Sequence, residues 1–242
     1  MASTQLITVP ESSPPKPFAD DPILECIGIQ KVYAQGRDEV RALKGITLAL
    51  TPAEFVCISG RSGSGKTTLL NCMGTLDSVS EGKIVLEGSS IEALPESALL
   101  SLRRNYFGFV FQQPRLFSRL SVLDNVALPL VYRGVSWKEA RNRARRFVED
   151  VGLIGRIDCQ ARLLSGGEAA RAGIARAVVH QPKILLADEP TAELDNANSG
   201  NIVDLLVEQS KRGTTVIVAG HDPMVQEKAG RFLRLEDGKL VS

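Results

Sequence analysis

Apolar residues recur along this chain in short blocks with two different spacings. Ile23, Leu24, Ile27, Ile29 and Val32 mark a first strand, and residues 40–50 predict a second. Phe55-Val56-Cys57-Ile58 is an unbroken apolar run of strand length, the pattern of a strand buried on both faces. Residues 66–73 predict a helix and 84–86 a strand. Residues 95–104 predict a helix with Leu99, Leu100 and Leu102 on its apolar side, and 107–111 a strand. Between about residues 121 and 180 the pattern predicts three helical stretches. Alternation then returns: a strand at 184–187, a helix at 197–211, a strand at 215–219. Phe232-Leu233-Arg234-Leu235 and Leu240-Val241 predict a closing hairpin that turns at Asp237-Gly238. Such alternation argues for a mostly parallel sheet covered by helices, interrupted by a helix-only insertion at about 114–171. Residues 1–22 hold five prolines among serines and a few acids and predict a flexible tail.

Composition narrows the picture by exclusion. The 242 residues are 43% hydrophobic and 24% charged, ordinary values for a globular chain. A formal net charge of +1 leaves no electrostatic footprint for nucleic acid, so none is expected as a partner. No apolar run approaches the roughly 18–20 residues that span a bilayer, and no basic-then-apolar leader opens the chain. The expectation is a protein that does not itself cross a membrane. Cys26, Cys57, Cys72 and Cys159 have neither zinc-like nor redox spacing; buried free thiols in a reducing cytosol are the expectation.

The chemistry enters with Gly60-Arg61-Ser62-Gly63-Ser64-Gly65-Lys66-Thr67, followed by Thr68, a full match to the P-loop pattern between a predicted strand and a predicted helix. Glycines let the backbone curl so that its N–H groups face a polyphosphate, and the helix that starts there adds its positive end. Lys66 is expected to reach the β- and γ-phosphates and the Thr67 hydroxyl to ligate Mg²⁺. The motif alone means an NTPase or a kinase. A second predicted strand, 184–187, ends in Asp188-Glu189, at the end of a parallel strand where ligands gather. Asp188 is expected to hold Mg²⁺ and Glu189 to act as general base on the attacking water; taken alone, the pair also reads as a helix cap and a surface acid.

Leu164-Ser165-Gly166-Gly167-Glu168 precedes a helix predicted from Ala169 to Val179. Ser165 with Glu168 three residues on is a capping box in its own right. With this pentapeptide the sequence resembles the ABC ATPase family. The resemblance implies an α/β fold: a P-loop NTPase core with a mostly parallel sheet, an N-terminal antiparallel β subdomain and a helical insertion subdomain, together forming one ATPase domain over 23–242. It implies ATP and Mg²⁺ as cofactors, and two copies pairing head to tail so that Ser165, Gly166, Gly167 and Glu168 of one cap the ATP held by the other. It further implies that Tyr33 stacks on adenine and that Gln112, after Phe109-Val110-Phe111, senses Mg²⁺ and couples to a partner. Asp195, ending Ala192-Glu193-Leu194-Asp195, would cross the dimer, and His221, before Asp222, would contact the γ-phosphate. Taken singly, Tyr33 and His221 read equally as a core tyrosine and a buried histidine. Ala169, Ala170, Ala192 and Gly220 depart from the residues common in the family and leave the catalytic groups intact.

The runs FGFVFQ, LFSRLSVLDNVALPL, CMGTLD and LLADEPTAELD look most like the lipoprotein-releasing, macrolide-exporting and FtsE-like branch. That resemblance implies an integral membrane permease docking near the helical subdomain, around Pro114, Leu116, Phe117, Leu120, Val122, Val126 and Leu128, some of which must form the insertion's own core. The chain would then sit in the cytoplasm, peripheral on the inner face of the cell membrane. Rival readings are a cell-division regulator, the ATPase of a conventional importer or exporter, a non-transport ABC ATPase in DNA repair or on ribosomes, and a P-loop kinase. Residues 136–151 predict an amphipathic helix with Arg141, Arg143, Arg145 and Arg146 on its polar side, read as a solvated face or as a contact for anionic lipid or an acidic partner.

Overall fold

The computed structural model describes residues 21–35, 38–192 and 194–241; most of the expected tail (1–20) and Glu193 lie outside them. In chain order the elements are β1 (Leu24–Gln35), β2 (Asp38–Leu50), β3 (Phe55–Ser59), α1 (Lys66–Met73), β4 (Glu81–Leu86), β5 (Ser89–Ser90), α2 (Glu96–Asn105) and β6 (Phe107–Val110). Then follow α3 (Val122–Tyr132), α4 (Trp137–Asp150), α5 (Gly166–Val178), β7 (Ile184–Asp188), α6 (Asn196–Lys211), β8 (Thr215–Ala219), α7 (Pro223–Lys228), β9 (Arg231–Glu236) and β10 (Lys239–Val241).

Two sheets form. The first, in the order β2-β1-β4-β5, is antiparallel and built almost wholly from the N-terminal third. The second runs β10-β9-β3-β8-β7-β6 and is parallel from β9 to β6, with β10 folded back at the edge. Period-two alternation explains how the parallel strands are covered. Val56, Ile58, Ile184, Leu186, Ile217 and Ala219 face a core shared with α1 and the antiparallel sheet. Their neighbours Phe55, Cys57, Leu185, Ala187, Val216 and Val218 face the opposite core, against α5, α6 and α7. Burial on both faces accounts for the continuous apolar runs. The expected buried thiols are present at Cys26, Cys57 and Cys72, while Cys159 is half-exposed. The hairpin turns where expected: Asp237 (φ 44°) and Gly238 (φ 77°) both take left-handed backbone, which a two-residue turn of this hand needs.

Two expectations are corrected. The signature helix begins at Gly166, not Ala169, because the Ser165 hydroxyl accepts the Glu168 N–H and the Glu168 carboxylate accepts the Ser165 N–H. That reciprocal cap starts the helix through both glycines. The short helix α7, started by the Asp222 carboxylate and Pro223, is additional to the predicted elements. Of the apolar residues expected either to dock the partner or to form the insertion's own core, Val122 and Val126 are core: both are fully buried among α3, α4 and α5.

The helical region is pinned at Asn125, which is wholly buried. Its Oδ1 accepts the Phe117 N–H at 2.7 Å, and its Nδ2 donates to the carbonyls of Phe117 (3.1 Å), Ser121 (3.0 Å) and Leu120 (3.4 Å). One side chain thus satisfies the loop that leads into α3. Two of the four arginines on the polar side of α4 are paired with neighbours: Arg141 with Asp124 at 2.6 Å and Arg143 with Glu139 at 2.7 Å. Among the described residues no helix is long and apolar enough to cross a membrane.

Asn125→Ala leaves several buried backbone groups unpartnered and is expected to lower unfolding free energy by about 2–3 kcal/mol, read from the midpoint of a urea transition at unchanged slope.

Candidate nucleotide site

The loop between β3 and α1 lies where the two sheets meet, and contacts on both sides fix its shape. Gly63 (φ 78°) and Gly65 (φ 104°) take left-handed backbone. A Cβ on Gly65 would stand 2.6 Å from the Ala42 carbonyl oxygen, and one on Gly60 only 2.2 Å from that of Leu235. The turn of the β9–β10 hairpin closes the cradle: the Gly238 N–H donates to the Ser64 carbonyl at 3.0 Å, and its carbonyl accepts the Lys44 N–H at 2.8 Å. No side chain caps α1, so the first-turn N–H groups stay available at the loop. Lys66 is buried, with its ammonium donating to the carbonyls of Gly60 (2.8 Å) and Arg61 (3.2 Å).

The acids at the end of β7 come to the same place. The Thr67 hydroxyl donates to Asp188 Oδ2 at 2.7 Å. Burial raises the Asp188 carboxyl above its ordinary value; the Thr67 hydrogen bond opposes this, and the neighbouring Glu189 adds to it. Asp188 Oδ1 and Ser64 Oγ are buried with no hydrogen-bond partner, a cost that an oxygen-seeking cation and a phosphate would remove. Glu189 follows with φ 47°, its N–H held by the Ala219 carbonyl at 2.8 Å. Its carboxylate lies 3.5 Å from Lys66 Nζ and 3.2 Å from His221 Nδ1. The His221 side chain is 75% exposed, so it is not the buried histidine that its sequence context also allowed.

A cavity of about 830 Å³ opens here, lined among others by Gly60, Ser62, Lys66, Gln112, Glu189 and His221. Gln112 also lines an adjoining cavity of about 570 Å³ with Thr67 and Asp188. Among the described residues no group of three or more His, Cys, Asp or Glu side chains is gathered for a metal. One carboxylate, one hydroxyl and one amide instead suit Mg²⁺, which keeps several waters and shares substrate phosphate oxygens.

The structure separates the rest of the expected set from this cavity within one chain. Ser165 and Gly166 are exposed at the start of α5 and do not line it. Gly167 is packed so closely that a Cβ would meet Asn198 Oδ1 at 2.6 Å. Glu168 closes the capping box and accepts from Arg156 at 3.0 Å. The Asp195 carboxylate caps α6, accepting from the Asn198 backbone N–H and from Asn198 Nδ2, each at 2.9 Å. Tyr33 is 38% exposed, not a core tyrosine, and its hydroxyl donates to Asp77 Oδ2 at 2.7 Å. Reading the sequence missed Phe232, Arg234 and Glu236, which line the cavity from β9. Their position follows from the pairing of Ser59 with Arg234, a register no local pattern reveals.

This is the architecture of a P-loop ATPase with a second, separated helix-start motif. The ABC transporter family model matches residues 43–192, and the chain belongs to that family: it is an ATP-binding, ATP-hydrolysing cassette that uses Mg²⁺. Macrolide export ATP-binding/permease protein MacB 1 of Aeromonas hydrophila subsp. hydrophila is 40% identical over 222 residues, 92% of this chain and 34% of that protein. MacB of Chromobacterium violaceum is 41% identical over 218 residues, 90% and 34% of the two chains. The chain thus spans about a third of the length of these relatives. Among solved structures, the ATP-binding cassette MJ0796, in a dimeric post-hydrolysis state bound to ADP and Pi, is 36% identical with a TM-score of 0.85, covering 90% of this chain and 97% of that one.

Because the Leu235 carbonyl stands where a Gly60 methyl would go, Gly60→Ala is expected to cost roughly 1–3 kcal/mol of stability and to abolish nucleotide-induced stabilisation in a thermal melt.

Proposed function

We propose that this chain is the ATP-hydrolysing unit of an ABC transporter that closes as a pair of copies around two Mg-ATP and drives a membrane permease of the macrolide-export and lipoprotein-release kind. The observation that carries this reading is the division of the site. Lys66, Glu189 and His221 line one cavity and Asp188 the cavity that adjoins it at Gln112, while Ser165 and Gly166 present an exposed helix start elsewhere on the same chain. A second copy, turned head to tail, supplies the missing helix start to the exposed side of the γ-phosphate. The dimeric state of the similar cassette MJ0796 with ADP and Pi supports this pairing.

Each residue then has a physical task. The loop N–H groups and Lys66 take up the phosphate charge, and binding ATP draws the Lys66 ammonium from the Gly60 and Arg61 carbonyls onto phosphate oxygens. Thr67, Asp188 and Gln112 would hold Mg²⁺, whose contribution is to neutralise charge on the β- and γ-phosphates. Glu189 accepts the proton of the attacking water as its oxygen bonds to the γ-phosphorus and the bond to ADP breaks. His221, whose Nδ1 lies 3.2 Å from the Glu189 carboxylate, orients that group and reaches the γ-phosphate. Tyr33 supplies a face for adenine, a contact worth about 1–3 kcal/mol. Asp195 serves the pairing from its cap at α6, beside the signature helix.

Docking of the permease is read from an apolar groove of about 370 Å³ beside Gln112, lined by Phe109, Phe111, Phe117, Leu128, Pro129 and Tyr132. Phe117 and Tyr132 are more than half exposed. The relatives' own description as ATP-binding/permease proteins supports a membrane-spanning partner, which sets the cassette on the cytoplasmic face of the cell membrane. Residues 23–242 act as one ATPase domain, and residues 114–171 as the subdomain that carries the groove wall.

Lys66→Ala is expected to abolish ATP binding. Glu189→Gln is expected to bind ATP, lose at least about a hundredfold in turnover and elute as a dimer with Mg-ATP in size-exclusion chromatography with light scattering. Glu189→Gln hydrolysing at the parent rate, or remaining a monomer with saturating ATP, contradicts the assignment.

A further inference from the structure

The site above gives Tyr33 a base to stack on but does not say what holds the ring. A platform that must be immobilised on binding wastes part of its contact energy, so a pre-held ring binds more tightly. Tyr33 is held at its hydroxyl and on one face. Its hydroxyl donates to Asp77 Oδ2 at 2.7 Å. The Lys31 ammonium lies over the ring, 5.0 Å from its centroid. That cation takes one face of a residue that is 38% exposed, so surface remains for a base.

Asp77 is the hub of this cluster. Its Oδ1 accepts from Lys31 Nζ at 2.6 Å and from the Ser78 N–H at 2.8 Å, while Oδ2 serves Tyr33. Lys31 is 7% exposed and donates also to the Ser78 carbonyl at 2.6 Å, so its charge is matched inside the fold. Burial pushes the Asp77 carboxyl up, but the hydrogen bonds from Lys31 and Tyr33 outweigh it and hold the group below its ordinary value. Asp77 follows α1 closely: the Leu76 and Asp77 N–H groups both donate to the Asn71 carbonyl, at 2.8 and 3.2 Å. One short helix therefore carries the phosphate loop at its start and the clamp on Tyr33 just past its end.

We propose that Asp77 is a positioning residue for nucleotide recognition: bridging Lys31 to the Tyr33 hydroxyl, it fixes the nucleobase platform at a set distance and angle from the phosphate loop. The proposal rests on the reading of Tyr33 as the base platform. It makes adenine-dependent affinity, separately from phosphate affinity, a property of the Lys31–Asp77–Tyr33 cluster.

The test is equilibrium binding of Mg-ATP and of magnesium tripolyphosphate, which lacks the base, to the whole chain and to four variants. Tyr33→Ala is expected to lose the base contribution, roughly tenfold or more in ATP affinity, and Asp77→Ala and Tyr33→Phe about three- to tenfold. Asp77→Asn, whose single acceptor oxygen can serve either Lys31 and the Ser78 N–H or the Tyr33 hydroxyl but not both, is expected to recover only part of the loss. Tripolyphosphate affinity is expected to stay unchanged throughout, which also reports that each variant is folded at the loop. Tyr33→Phe leaves the Lys31–Asp77 pair intact and covers the case in which an unpaired Lys31 unfolds Asp77→Ala. If Asp77→Ala and Tyr33→Phe bind ATP like the parent while Tyr33→Ala does not, the positioning role is wrong and the platform stands. If Asp77→Ala loses both ligands equally while Tyr33→Phe binds like the parent, Asp77 is structural only. If Tyr33→Ala binds ATP like the parent, the platform reading itself fails.

Discussion

Backbone N–H groups can surround a polyphosphate only where no side chain intervenes, and the rest of this molecule is arranged around that exclusion. The loop at residues 60–65 lies against the Leu235 carbonyl on one side and the Ala42 carbonyl on the other, so closely that neither Gly60 nor Gly65 has room for a methyl group. The antiparallel sheet supplies one wall and the closing hairpin the other, with Gly238 bonded to both the loop and β2. The antiparallel sheet and the C-terminal hairpin thereby act as supports of the phosphate cradle. The parallel sheet then brings the ends of β3, β7 and β8 to one edge, where strand ends in such sheets present their ligands.

The charges at that edge are poised rather than relaxed. Asp188 keeps one buried oxygen unpartnered, and Lys66 spends its ammonium on two carbonyls that phosphate oxygens would replace. Glu189 sits in left-handed backbone, a conformation that costs of order 1–3 kcal/mol outside glycine and persists where surrounding contacts impose it. Here the Ala219 carbonyl, Lys66 and His221 impose it. The folded chain thus carries local strain and desolvation at the groups that a bound nucleotide would relieve, which couples ligand binding to stability.

Much of this was legible in the residues themselves. Apolar runs at 55–58, 184–187 and 215–219 are strands because both faces are buried, and the glycine pattern before Lys66 names its own chemistry. What escaped was relational. The helix α5 starts three residues before Ala169, because the cap between Ser165 and Glu168, itself visible in the sequence, carries two glycines of poor helix propensity into the first turn. Phe232 and Arg234 line the cavity through strand register alone. The clamp on Tyr33 joins residues 44 positions apart and follows no local period. His221 stands exposed beside Glu189, where the apolar strand before it suggested burial as readily.

The central claim is that one chain holds only part of its working site and a second copy completes it. The most direct measurement is ATPase activity per chain, at saturating Mg-ATP, as chain concentration is raised over about three orders of magnitude across the expected dimer Kd. Activity per chain should be near zero at the dilute end, rise in proportion to concentration, and then level off as pairs saturate. Constant activity per chain across the whole range, in a sample shown by light scattering to be monomeric with ATP present, would mean that a single chain suffices.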